Sequence, residues 1–259
     1  MLLGQFEFNN KKYNVDFSQP LDLSIPLKEG MATVNCFYAP PMDIRPIVAG
    51  DFVGDTKQGG VVNFKTVEFT PHGNGTHTEC VGHISKESFS INQCLQQFNF
   101  FAKLVTIYPF KLSNGDRVIQ KQQLEAVVNC FDCTEKGIKA LVIRTMPNDD
   151  WKMQTTHSGA NPPYLMHDAV TYLVACGIEH LLIDLPSVDK EQDEGKLLAH
   201  KAFWQYPEAI RTKCTITELI YVKNVIKDGF YLLNIQIAAF ELDASPSKPI
   251  LYQLNPILK

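Results

Sequence analysis

Apolar and polar positions alternate over short runs, the mark of half-buried strands, from Gln5 to Val15 and from Val61 to Phe69. Leu21-Asp22-Leu23-Ser24-Ile25-Pro26-Leu27 is a further extended run, ended by its proline. Strands are also predicted near Ala102 to Tyr108 and from Ile138 to Thr145, with Asn114-Gly115-Asp116 as a turn signal. Leu165, Ala169, Tyr172, Leu173 and Cys176 recur on one face of a helix, opened by Asn161-Pro162-Pro163 and closed by Gly177. Ile178 to Leu185 then reads as a buried strand with Asp184, Ser187 and Asp189 at its C-terminal end, so helix and strand form one α/β unit. Tyr231 to Leu242 is again strand-like.

Two segments depart from these patterns. The stretch from Ala39-Pro40-Pro41-Met42 to Lys57-Gln58-Gly59-Gly60 is rich in Pro and Gly and is predicted as a loop; long loops in compact domains are more often functional or interfacial than idle. Pro71 to His83 is rich in His and Gly and unlike its surroundings. With no internal repeat and no linker-like shift in composition, residues 1–259 read as a single domain.

Composition narrows the function classes. The 45% hydrophobic and 20% charged content of the 259 residues is that of a globular chain able to bury a large core. The 24 Lys and Arg against 28 Asp and Glu give no basic field for nucleic-acid phosphates or an anionic membrane, so neither is expected as a partner. Met1-Leu2-Leu3-Gly4-Gln5 lacks the basic start and apolar run of an export signal, which predicts a cytoplasmic location. Seven scattered cysteines, an odd number, are expected to be reduced and mostly buried; Cys130-x-x-Cys133 has no second pair to form a zinc ribbon.

Chemistry concentrates at His77, Glu79 and His83, with His72 just upstream. Alternate residues of a strand share a face, so His77 and Glu79 can converge on one ion, and His83 follows after the turn at Gly82. Imidazole and carboxylate together suit zinc, manganese or iron. The alternative is a set of surface or hydrogen-bonded histidines in a Gly-rich loop. Cys80, as a strand neighbour, points away from Glu79, and His157, His167 and His180 fall outside any ligand spacing. The aromatic cluster from Lys201 to Pro207 either walls a pocket for a flat substrate or packs in the core.

His72-Gly73-Asn74-Gly75-Thr76-His77-Thr78-Glu79-Cys80-Val81-Gly82-His83 resembles the H-x-G-T-H-x-D-x-P-x-H signature of the cyclase-type metal-dependent hydrolases, which include the bacterial kynurenine formamidases. Leu21 to Leu27 is similar to that family's D-L-S-x-P-L opening, Lys139 to Thr145 to its central strand, and Gly177 through Asp189 to its G-I and D-x-x-S-x-D segments. The resemblance implies an α/β fold of mixed β-sheets with few helices, the swivelling β/β/α fold. It also implies one or two divalent ions, zinc first and manganese second, with His72, His77, Glu79, His200 and Glu218 as ligands and His83 as the acid/base catalyst.

Two departures from the signature matter. Gly73 holds the place of the first histidine, so either the Gly-Asn-Gly backbone lets the displaced His72 reach the ion or that ligand is lost. Glu79 replaces the bridging Asp and reaches about 1 Å further for its extra methylene. The implied activity is hydrolysis of a C–N amide bond in a small molecule, an arylformamide such as N-formylkynurenine being the example. The alternatives are a metal-binding but weak or inactive protein serving as a ligand-binding or interaction module, and a lyase or isomerase on the same scaffold. The resemblance further implies a homodimer or higher oligomer, with Phe37 to Met42 as the loop that helps close a neighbour's site.

Overall fold

The structure, a computed structural model, describes residues 2–257 apart from Asn9 and Met31. Its centre is a nine-stranded mixed sheet. Four parallel strands form the middle, Asn99–Ile107, Ala140–Thr145, His180–Ile183 and Thr215–Glu218, in that order across the sheet. Beyond Thr215–Glu218, the His77–Glu79 and Ala244–Pro246 strands follow, each antiparallel to its neighbour. On the other side, Gly229–Asn234, Ile250–Gln253 and Leu21–Asp22 continue the sheet antiparallel.

Both faces of the parallel strands are buried, which is why they read as continuous apolar runs. Leu141, Ile143, Leu181, Ile183 and Ile216 pack on one face with Ala169, Val170 and Leu173 of the His167–Ala175 helix. Ala140, Val142, Leu182 and Leu104 point the other way, against Leu23, Ile220 and Leu251. The mixed α/β architecture with few helices is the one expected.

Several local expectations change. The helix starts at His167; Leu165 belongs to a short strand, Tyr164–Leu165, parallel to Arg117–Ile119. Leu165 lies in the same core as the helix's apolar face, so its spacing fits the helical period although its backbone, just after two prolines, is extended. The Pro/Gly-rich stretch is not bare loop: Asp43–Pro46 pairs with Lys65–Glu68, and Val48–Ala49 with Phe52–Val53. The last predicted strand stops at Asn234, where the Asn234 amide turns to Phe98 and Asn99.

The expectation of reduced cysteines is also corrected, because Cys130 and Cys176 are joined by a disulfide across 46 residues. Cys176 caps the C-terminal end of one helix and Cys130 begins another, a proximity that chain spacing does not disclose. Cys36, Cys80, Cys94 and Cys214 are buried free thiols. No helix among the described residues is long and apolar enough to cross a membrane.

Candidate metal centre

The His/Gly-rich segment begins as a single helical turn, Pro71–Asn74, with Pro71 at its first position. The Asn74 side chain closes the turn, accepting from the Thr70 amide at 2.6 Å and donating to the Pro40 carbonyl at 2.9 Å. Gly73 lies against Ala39, whose Cβ would be 2.3 Å from a Cβ built at residue 73. A histidine side chain at Gly73 is therefore excluded without backbone movement. His72 instead carries its ring into the site, with Nδ1 3.1 Å from Glu79 Oε2.

Thr76 fixes the entry to the next strand by accepting from the Ile25 amide at 2.8 Å and donating to the Leu219 carbonyl at 2.5 Å. His77 and Glu79 share a strand face, as alternation predicts, while Thr78 faces away to bond Thr217 at 2.8 Å. Cys80 also turns away, into the core with Ile91 and Cys94. The antiparallel register sets Glu218 opposite His77, so His77 Nε2 lies 3.5 Å from Glu218 Oε2.

His200 arrives from the Leu198–Trp204 helix. Asp189 both caps that helix and aims the ring: its carboxylate accepts from the Ala199 and His200 amides and lies 2.7 Å from His200 Nδ1. Ser187 in turn accepts from the Asp189 amide. Asp189 is thus both a helix cap and the partner of His200. Asp184 plays no part here; it is paired with Lys152 instead.

Trp204 lies behind His200, with ring centroids 5.6 Å apart, and its Nε1 donates to the Cys214 carbonyl. Phe203 and Trp204 are fully buried, so the aromatic cluster packs in the core and does not wall a substrate pocket. His83, at the end of the Val81–His83 turn, remains partly exposed, its Nδ1 3.8 Å from Glu79 Oε2 and 3.4 Å from Asp243 Oδ2.

All six residues expected from the sequence thus converge, and a seventh, Asp243, joins them. Asp243 gave no sequence signal, lying just beyond a strand-like run and outside any ligand spacing. His200 Nε2 lies 3.2 Å from Glu79 Oε1 and 3.9 Å from Glu218 Oε1. Yet His77 Nε2, His200 Nε2 and both Glu79 oxygens are buried without a hydrogen-bond partner. Leaving such atoms unpartnered is costly. A convergent set of imidazole nitrogens and carboxylate oxygens fits a divalent cation, and the residues present meet that test.

The electrostatics agree. Burial alone would lower His200 and His72, but the carboxylates of Asp189 and Glu79 on the first, and of Asp243 and Glu79 on the second, raise each to about 10. Burial would raise Glu79, but His83, His200 and His72 hold it well below the usual carboxylate range. The site thus attracts positive charge, as protons or as a metal ion. A cavity of about 160 Å3 opens beside it, lined by His83 and His200 and, as its apolar members, Phe37 and Leu197.

Comparison with known proteins gives the family and the fold. Residues 21–190 match the Cyclase family, described as "Putative cyclase". The chain is 23% identical over 240 residues to the kynurenine formamidase of Bacillus thuringiensis (strain Al Hakam), covering 90% of this chain and 97% of that one. A "predicted metal-dependent hydrolase" from Bacillus stearothermophilus shares the fold with a TM-score of 0.60 at 17% identity, over 90% of this chain and 98% of that one. Isatin hydrolase A from Labrenzia aggregata does so with a TM-score of 0.63 at 13% identity, over 90% and 93%.

Proposed function

The chain belongs to the Cyclase family, and from that premise we propose that it is a metal-dependent hydrolase cleaving the C–N bond of an amide, with arylformamides such as N-formylkynurenine as the substrate class. The observation that carries the proposal is the buried set of unpartnered donors on His77, Glu79 and His200 facing Glu218. The formamidase relatives support the substrate class.

His72, His77, Glu79, His200 and Glu218 would hold the cation, zinc or manganese by their donor types. A divalent ion bound there would lower the pKa of a water, for zinc from 15.7 toward about 7, and would polarise an amide carbonyl. The protein's own side chains do the rest. Asp189 and the Gly75 carbonyl fix the His200 and His77 rings through Nδ1, at 2.7 and 3.0 Å, leaving each Nε2 turned to the cage. Trp204 closes the rear of His200 against solvent.

His83 lines the cavity, and imidazole is the side chain suited to take a proton from water and return it to a departing amine. At about 160 Å3 the cavity is below the roughly 300–1,000 Å3 of drug-sized pockets. It is sized for the reacting end of a substrate, with an aryl group toward Phe37 and Leu197.

The test is an assay of the purified protein supplied with Zn2+ or Mn2+ on N-formylkynurenine, formanilide, simple amides and cyclic imides. Formyl-arylamine cleavage is expected, with His83→Ala lowering kcat by about 10²–10⁴-fold while cation binding persists. Failure to cleave any of these compounds would overturn the proposal.

A further inference from the structure

The three buried or half-buried imidazoles of the site differ in which nitrogen is tied. Gly75 O can only accept, so His77 Nδ1 donates to it, at 3.0 Å. Asp189 does the same for His200 Nδ1. In both rings Nε2 is the free atom turned to the cage. His72 is reversed: its Nε2 lies 2.8 Å from Asp243 Oδ2, and Nδ1 is the atom 3.1 Å from Glu79 Oε2. The donor atoms of His72, His77 and Glu79 fall within 4.8 Å of one another.

We infer that Asp243 is a positioning residue of the cation site: it holds the His72 proton on Nε2, so that His72 ligates through Nδ1 while His77 and His200 ligate through Nε2. The inference rests on the metal-dependent reading above and extends it to a residue outside the signature.

The reversal follows from the backbone. With position 73 closed to any side chain by Ala39, the imidazole must come from one residue earlier and enters the site in a different orientation. That orientation needs its own partner. Asp243 supplies it from a fixed place, because its carbonyl accepts from the Cys80 amide at 3.0 Å and the next residue, Ala244, pairs with Glu79 in the sheet. The strand that carries Glu79 therefore also anchors the residue that aims His72. A carboxylate behind a ligating histidine fixes its tautomer and strengthens it as a donor.

Asp243 also lies 3.4 Å from His83, so the test must separate the two contacts. Full-length protein is titrated with Co2+ alone, following its visible absorption, as wild type, Asp243→Asn, Asp243→Glu, His72→Ala and the Asp243→Asn/His72→Ala pair. Asp243→Asn is expected to weaken Co2+ binding about 10–100-fold, and Asp243→Glu to recover most of the loss. In the His72→Ala background Asp243→Asn should add less than about twofold, since coupled residues are not additive. Wild-type affinity in Asp243→Asn, or an undiminished effect of that substitution without His72, would overturn the inference. Both results would leave the metal reading standing, whereas a wild type that binds no Co2+ would remove both.

Discussion

Two clusters of buried charge lie at strands of the same sheet and are built in opposite ways. At the C-terminal end of Ala140–Thr145, the Lys152 ammonium donates to the Thr145 carbonyl at 2.7 Å, the Thr145 hydroxyl at 3.0 Å and Asp184 at 2.7 Å. Asp184 also accepts from the Thr145 amide and hydroxyl. All three ammonium protons are used, and the cluster is closed. At the end of His77–Glu79, by contrast, the Glu79 and Glu218 carboxylates face imidazoles at 3.1 to 3.9 Å with four buried atoms unpartnered. Buried charge alone therefore does not mark a site here. Buried charge whose own bonds are left unmade does, because only a further ligand completes it.

The contrast can be broken most sharply at Glu79. Glu79→Gln should reduce turnover by at least about 10³-fold and abolish tight cation binding, since a neutral amide cannot offset a dication in a buried site. Measured by thermal unfolding without added metal, it should cost less than opening the closed cluster does.

That second perturbation is Lys152→Met, which leaves Asp184 buried without its counter-charge. It should destabilise the fold by about 3–5 kcal/mol while the folded protein keeps wild-type kcat. Denaturant unfolding beside a steady-state assay checks both parts. A fall in kcat at saturating metal would make this cluster part of the site after all.

The smallest effect is expected at two histidines belonging to neither cluster. Burial is the main cause that lowers His157 and His180 from 6.5 to about 4. Between about pH 4 and 6.5 the unfolded chain therefore binds protons that the folded chain does not, so their contribution is full above the unfolded value and is lost on acidification. From pH 7 to 5.5 each should cost about 1 kcal/mol, read as a fall in the unfolding midpoint that His180→Gln halves.

Much of this site was legible before the fold. The two-residue period of a strand places His77 and Glu79 together and turns Cys80 away, because that geometry is local. The helix ending at Gly177 and the strand after it follow from periodicity in the same way. His200 and Glu218 were reached only through resemblance to a family, since no local rule links them to the His/Gly segment. Leu165 misled because the core it enters accepts a strand residue at a helical interval.

Asp243 lies 171 residues from the histidine it meets, and only the pairing of Ala244 with Glu79 brings it there. The Cys130–Cys176 bond is of the same kind.

The sequence by itself determined the main buried strands and the helix before Gly177, which residues face together within one strand or helix, and the stock of imidazoles and carboxylates available. Tertiary structure alone decided which of the buried charges are closed and which are left open, and which nitrogen of each histidine is free. Local conformation fixes directions over a few residues, whereas hydrogen-bond completion depends on atoms that only sheet register and packing bring within about 3 Å.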